Sequence, residues 1–179
     1  VDLTALMNVT GTTHTNAGTY NNDPWTFAGN TNYNATSGTV NNAIGLKALT
    51  ITADNKSKTY DGTAFTAFTV SYSGFVNGET QAVLGGSLAF ATTPTDPAIN
   101  AGSYTIIPSG LTSSNYNISF VNGTLTIGKA DAVIAVTPYN VTYDGLPHTS
   151  AFTAVGVESP TPVDLTALMN VTGTTHTNA

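Results

Sequence analysis

Histidine and carboxylate side chains are the residues of this 179-residue chain that could carry acid–base or metal chemistry. The chain has three His, ten Asp and Glu, four Lys and no Cys. His14 and His148 lack a Ser or Cys nucleophile in a recognisable elbow, and a catalytic triad also needs an acid that orients the histidine. We therefore expect His14 to be a hydrogen-bonded surface histidine. The sequence predicts no catalytic residue and no enzyme.

Two of the carboxylates stand in matching triplets, Tyr60-Asp61-Gly62 and Tyr143-Asp144-Gly145. In such a turn Asp commonly accepts a hydrogen bond from its own downstream backbone, and Gly takes a positive φ angle. The triplets therefore predict structural turns. The ten acids are scattered, and no Asp-x-Asp-x-Asp-Gly loop is present.

No cofactor is predicted, and Ca²⁺ is the alternative that stays open. A calcium ion between domains needs several oxygens that converge near Lys47 or Lys129. The sequence offers only Asp54 and Asp131 there. A zinc site is excluded because the chain lacks Cys, and because His14 and His176 are one position seen twice.

Aromatic side chains could form a strip on which a sugar stacks. The tyrosines come in matching pairs, which favours core or corner residues whose hydroxyls bond the backbone; they are Tyr20 with Tyr104 and Tyr33 with Tyr116. Trp25 has no such match, so it is the ligand candidate, although a core position is favoured for it too.

Composition excludes two classes of partner. With four Lys and no Arg the chain cannot follow a phosphate backbone, so no nucleic-acid partner is predicted. The sequence has no transmembrane run, and we expect no membrane insertion by this segment.

Repetition is the strongest feature of the sequence. Residues 1–17 and 163–179 are the same seventeen letters, VDLTALMNVTGTTHTNA, so the chain spans one period of 162 residues plus an overlap. A weaker symmetry divides the period into two related domains, each closed by a Lys-Ala pair. Residues 48–129 are predicted to form a complete domain. Residues 130–179 form the N-terminal part and residues 1–47 the C-terminal part of the second domain, which we call the split domain.

The local patterns predict short strands. The chain contains 34 Thr and 18 Asn but few strong helix formers. Six alternating runs lie between residues 49 and 127, with a polar connection over 54–61 and a tight hairpin at Asn122-Gly123. Residues 77–84 and 164–169 each predict one helical turn. The fold class is all-β: tandem small Ig-like β-sandwich domains, or alternatively β-grasp-like domains with one short helix.

These landmarks resemble the MBG and YDG domains of large bacterial surface proteins. The resemblance rests on the Tyr-Asp-Gly turns, the Asn-Ala-Gly-Thr/Ser-Tyr runs that contain Gly18 and Gly102, the Asn-Tyr-Asn steps and the closing Lys-Ala pairs. It implies a cell-surface or secreted tandem-repeat protein of the kind often called an adhesin. It carries over no catalytic residue, and its landmark residues transfer as structure only.

The sequence therefore favours a structural segment of a long extracellular bacterial protein, acting as stalk, fibre or spacer. The alternative is an adhesive module that binds a glycan or another surface. The expected partners are neighbouring repeats of the same chain or fibre. We also expect separate chains to join head to tail, with residues 130–162 and the overlap complementing residues 18–47 of another copy.

Overall fold

The computed structural model describes residues 1–177, and most of its regular structure is β-strand. The strands of this described part are β1 (Met7–Asn8), β2 (Gly18–Phe27), β3 (Thr36–Ile44), β4 (Lys47–Ala53), β5 (Lys56–Thr59), β6 (Val70–Ser73), β7 (Gly85–Thr93), β8 (Gly102–Thr112), β9 (Tyr116–Val121), β10 (Gly123–Gly128), β11 (Val133–Thr137) and β12 (Ala151–Val155). The helical segments of residues 1–177 are single 3-10 turns. No helix in this part is long and apolar enough to cross a membrane. The predicted all-β class is confirmed.

The chain forms two compact units. The first contains residues 1–52, 70–89 and 108–121, and the second contains residues 53–69, 90–107 and the chain from 122 on. Both units take residues from the predicted complete domain, and the long strands β7 and β8 are divided between them. The proposed domain boundaries stay a prediction.

Two parallel strand pairs organise residues 47–128. In the first unit β4 pairs with β9, with Lys47 opposite Tyr116 and Ile51 opposite Phe120. In the second unit β5 pairs with β10, with Lys58 opposite Ile127. The strand orders of the two sheets are β6-β4-β9 and β5-β10-β8-β7. The first two strands of this region, β4 and β5, are therefore each paired with one of its last two strands, β9 and β10.

The predicted hairpin at Asn122-Gly123 is wrong. β9 and β10 follow each other without pairing, because each is hydrogen-bonded to a different parallel partner. Gly123 is required for a close approach: a Cβ there would lie 2.5 Å from the carbonyl oxygen of Ala53. The Asn-Gly pair suggested a tight turn, but its glycine is needed because two backbone segments approach each other closely there.

The predicted polar connection over 54–61 is also partly wrong, because it contains β5. Its Lys and Ser side chains gave no apolar alternation, yet the backbone of Lys56–Thr59 pairs with β10. β5 lies at the edge of its sheet, where lysines are common because they discourage further pairing.

Each unit has its own apolar core. In the first unit Leu49, Ile51 and Tyr116 are buried, and Val70, Tyr72 and Leu84 are among the residues that pack on them. In the second unit the core combines buried aliphatic residues with an aromatic layer; its members include Ile106, Leu125, Ile127, Phe65, Phe68 and Phe90. The alternating residues of β4 and β10 point inward, as the period-two pattern predicted.

The two predicted helical turns are present, each as three residues of 3-10 helix. Gln81–Val83 begins after Thr80, whose hydroxyl accepts a hydrogen bond from the Ala82 N–H. Thr166–Leu168 follows Asp164, whose carboxylate accepts a bond of 2.9 Å from the Thr166 N–H.

The two parts of the split domain form separate small sheets, β1-β2-β3 in the first unit and β11-β12 in the second. The repeated segment forms the same two 3-10 turns in both places. Thr4–Leu6 and Thr10–Thr12 are 3-10 turns, as are Thr166–Leu168 and Thr172–Thr174.

Candidate functional site

Asp61 organises the first Tyr-Asp-Gly turn. Its Oδ1 accepts hydrogen bonds from Lys58 Nζ at 2.6 Å and from the Thr63 N–H at 2.9 Å. The Lys58 ammonium and then the Thr63 donors lower the pKa of Asp61 to about 2. Gly62 has a φ of +78°, as the turn predicted. The Asp61 carboxylate is therefore already hydrogen-bonded to groups of its own turn.

Asp144 repeats this arrangement with a histidine in place of the lysine. It accepts a hydrogen bond from the Leu146 N–H at 2.9 Å, and His148 Nε2 lies 2.9 Å from the same oxygen. The Leu146 N–H and then His148 lower the pKa of Asp144. Gly145 has a φ of +76°. Tyr143, in contrast to the partly buried Tyr60, is largely exposed.

The tyrosine that follows each Asn-Ala-Gly run bonds back to the start of that run. Tyr20 Oη donates to the Asn16 carbonyl at 2.6 Å, and Tyr104 Oη donates to the Asn100 carbonyl at 2.8 Å. Tyr104 is buried and Tyr20 is half-buried. Both side chains therefore close a corner of their own strand, beside Gly102 and Gly18.

The Asn-Tyr-Asn tyrosines differ in burial. Tyr116 is buried in the first unit, where its hydroxyl donates to the Glu79 carboxylate and accepts from the Val76 N–H. The bond to Glu79 raises the pKa of Tyr116. Tyr33 is half exposed, and its backbone forms a small turn with Asn30.

His14 belongs to a polar cluster that the sequence analysis missed. Its Nε2 lies 2.8 Å from Asp23 Oδ2, its ring stacks on Tyr20 at 3.5 Å, and Asn42 Nδ2 donates to Asp23 at 2.7 Å. Asn42 and, more weakly, His14 lower the pKa of the buried Asp23. The missed signal was Asp23, an acid inside a strand that must have a partner when it is buried.

Trp25 lies over Gly38, its partner on the adjacent strand. A Cβ at Gly38 would lie 2.7 Å from the indole, so the glycine makes room for the ring. Met7, Val9 and Val40 line the same apolar surface. The ligand candidate of the sequence analysis is therefore packed on its own sheet at the border of an apolar patch.

A second open groove lies in the second unit. Its lining includes aromatic, imidazole and aliphatic side chains beside the Asp144 carboxylate; among them are Tyr139, Val141, Tyr143, Leu146, His148 and His176. His148 and His176 are joined by reciprocal backbone hydrogen bonds of 3.0 and 3.1 Å.

The structure brings no predicted residues together as a metal site. The described residues contain no group of three or more His, Cys, Asp or Glu that could hold an ion. Asp54, one of the two acids considered for Ca²⁺, lies 2.5 Å from the Thr69 hydroxyl that donates to it.

Hydrogen bonds join the split-domain parts to the region between them, and no motif of the sequence indicates these contacts. In the first unit Asn115 accepts from the Ala17 N–H at 2.9 Å and donates to Asn16 at 3.1 Å, and its carbonyl accepts from the Lys47 N–H. In the second unit Tyr60 donates to Glu158, which raises the pKa of Tyr60. We call these the Asn115 junction and the Tyr60 junction.

The geometry is that of β-structure with polar turns and with corners closed by tyrosine hydrogen bonds. One comparison finds a known family that resembles it. Residues 49–126 match the family model of the MBG domain (YGX type). No curated protein and no solved structure matches the chain. Over residues 49–126 the chain is therefore similar to the MBG domain of the YGX type, and we call this region the MBG domain.

Proposed function

We propose that this chain is a structural segment of a long extracellular bacterial surface protein, in which alternating domains act as a stalk, fibre or spacer. The MBG match and the exact repetition of seventeen residues support a tandem array. An array of nearly identical modules gains length with each copy, whereas distinct binding pockets require distinct sequences.

The observation that carries the proposal is the construction of the junctions. Only Gly45 and Leu46 separate β3 from β4, and the Asn115 junction adds three hydrogen bonds across this connection. The connection is therefore too short and too strongly bonded to act as a flexible linker. A spacer needs such connections in order to keep its modules at a fixed distance.

We further propose that the protein is not an enzyme. No buried side-chain nitrogen or oxygen of the described residues lacks a hydrogen-bond partner. The titratable groups of the turns are held by local bonds, as Asp61 and Asp144 are. Reactive groups that remain poised for a substrate are usually less completely satisfied.

The rival proposal, a binding module for a glycan or another surface, is favoured by two features. Trp25 borders an apolar patch, and the groove around Tyr143 exposes aromatic rings. Aromatic faces of this kind can stack on sugars. Tyr143 corresponds, however, to Tyr60, which packs against the core of the second unit, and this favours packing as its role.

A length series in the natural host separates the two proposals. A spacer predicts that the distance between an N-terminal or C-terminal tag and the cell wall changes in proportion to the number of 162-residue periods. A binding module predicts instead that Trp25→Ala or Tyr143→Ala abolishes adhesion at constant length.

Labelling of intact cells with an antibody against residues 48–129 tests the extracellular location. An antigen that is accessible only after lysis would contradict that part.

A further inference from the structure

The two parts of the split domain expose large apolar side chains on their sheets. In β11, Val133, Ile134 and Val136 are about half exposed or more, and in the other part Tyr33 and Ile44 are exposed. β11 and β12 form a sheet of only two strands, which is marginal by itself in water. Both parts therefore look like halves of a core.

The MBG domain of the same chain shows what these residues correspond to. Counted from the shared Tyr-Asp-Gly turns, Ile134 corresponds to Ile51 and Val136 to Ala53; Tyr33 corresponds to Tyr116 through the Asn-Tyr-Asn steps. The MBG residues are 0%, 3% and 4% exposed, whereas their counterparts are 54%, 49% and 50% exposed. The exposed residues therefore occupy core positions.

Strand order supports the same correspondence. The sheet β1-β2-β3 matches β7-β8-β10, and the pair β11-β12 matches β4-β6. Among the described residues, neither part contains the parallel pairing of the MBG domain, in which β4 lies beside β9 and β5 beside β10. In the split domain each of these pairs has one strand in residues 1–47 and the other in residues 130–177.

The repeated seventeen residues bond to each half through different backbone groups. In the first copy Leu6, Met7 and Asn8 pair with residues 26–28. In the second copy Val163, Leu165 and His176 bond to residues 148–156, and these positions correspond to Val1, Leu3 and His14. No backbone group is used twice, so the backbone of one copy of the segment can bond to both halves at once.

One of the bonds made by the second copy has an equivalent in the MBG domain. The Phe65 N–H donates to the Ala98 carbonyl at 3.1 Å in the MBG domain. His148 and His176 occupy the matching places, five residues after the turn tyrosine and two before the Asn-Ala-Gly run, and form the same bond at 3.0 Å. The N-terminal half has therefore adopted MBG geometry without its other half.

We propose that residues 130–177 of one copy and residues 1–47 of the next copy form one MBG-like domain around a single seventeen-residue segment. β11 then lies parallel to residues 33–38, and residues 139–142 lie parallel to the end of β3, with Val141 opposite Ile44. Separate chains join head to tail through this domain. The proposal rests on the tandem-array part of the proposed function and not on its extracellular part, so association in solution and cell-surface labelling can fail separately.

Sedimentation of the full chain with two adjacent variants tests the buried face. Ile134→Asp places a carboxylate in the new core and is expected to weaken association about 100-fold. Val133→Asp is the matched control, because Val133 is 62% exposed and its counterpart is the polar Thr50. A wild-type chain that stays monomeric at high concentration overturns the proposal, and so does equal loss in both variants.

Mixing tests the head-to-tail direction. Tyr33→Asp blocks the half formed by residues 1–47, whereas Ile134→Asp blocks the half formed by residues 130–177. Each single variant therefore keeps one intact half. A mixture of Ile134→Asp and Tyr33→Asp chains is expected to give a heterodimer that grows no further. If the mixture stays monomeric, the two faces are not each other's partners and the proposal is wrong.

The surplus copy gives a further test, because joining two complete chains must displace one of the two identical segments. A chain that ends at residue 162 has no surplus copy, so it is expected to associate more tightly than the full chain. Non-specific adhesion of exposed apolar surface predicts no such gain.

Cysteine pairs test the register, since the chain has no Cys of its own. Val141→Cys with Ile44→Cys is expected to form disulfides between chains, because paired strands place opposing Cα atoms within disulfide range. Val141→Cys with Ala43→Cys is the control, because Ala43 faces the other side of β3. Equal cross-linking in both pairs, or cross-links confined to single chains, would overturn the proposed pairing.

Discussion

At the scale of single residues, the same bond occurs twice in different surroundings. Tyr104 and Tyr20 both donate to the carbonyl of the Asn four residues earlier, but only Tyr104 is buried. We expect Tyr104→Phe to lower the free energy of unfolding by about 1 kcal/mol, since the Asn100 carbonyl loses its partner away from water. Tyr20→Phe is the control and should cost less. Urea denaturation of both variants measures the difference, and equal losses would show that burial is not the cause.

The Asp61 turn predicts acid sensitivity. Because Lys58 and Thr63 hold the folded-state pKa of Asp61 near 2, below its ordinary value of 3.8, the ionised carboxylate stabilises the fold. That stabilisation is complete above about pH 4 and is lost as the pH falls toward 2. Denaturation midpoints measured across this range should fall less steeply in Asp61→Asn, which keeps an acceptor for Thr63 but does not titrate. An unchanged pH profile in that variant would contradict the assignment.

At the scale of elements, β7 and β8 meet at two glycines with positive φ. Gly86 has a φ of +78°, and a Cβ there would lie 2.1 Å from the Gly110 carbonyl oxygen. Gly86→Ala is therefore expected to cost about 3 kcal/mol, from a left-handed backbone and a clash with backbone atoms. Gly78→Ala is the matched control: its φ is +74°, but its Cβ would meet nothing within 4 Å, so about 1 kcal/mol is expected. Thermal unfolding distinguishes the two, and equal losses would refute the close approach.

At the scale of the whole molecule, a spacer must respond to tension in steps. The predicted domain of residues 48–129 extends to about 280 Å when unfolded and spans about 30 Å when folded. Each unfolding event should therefore lengthen the protein by about 250 Å, with no disulfide to limit the release. Pulling a protein of several periods should give a sawtooth with this spacing and two force classes. Steps twice as long would show that the two domain types unfold together.

Much of the local structure followed from residue types. Short motifs predicted the positive φ angles of Gly62 and Gly145 and the single helical turns. They also predicted that Asp61 and Asp144 each accept a hydrogen bond from the backbone N–H two residues later. Each depends on atoms two to four residues apart, which a motif contains. The strand β5 and the false hairpin at Asn122-Gly123 could not be predicted this way, because both depend on a parallel partner about seventy residues distant.

The repeated segment separates the two kinds of information most directly. The sequence by itself determined its turns: Thr4 and Thr166 bond Asp2 and Asp164 at the same distance of 2.9 Å, in two different units. Only the tertiary structure decided its partners, since Asn8 pairs with β2 while Leu165 bonds to the end of β12. Local bonds need no other part of the chain. Strand pairing and burial need a second surface, and the same seventeen residues meet a different one at each end of the chain.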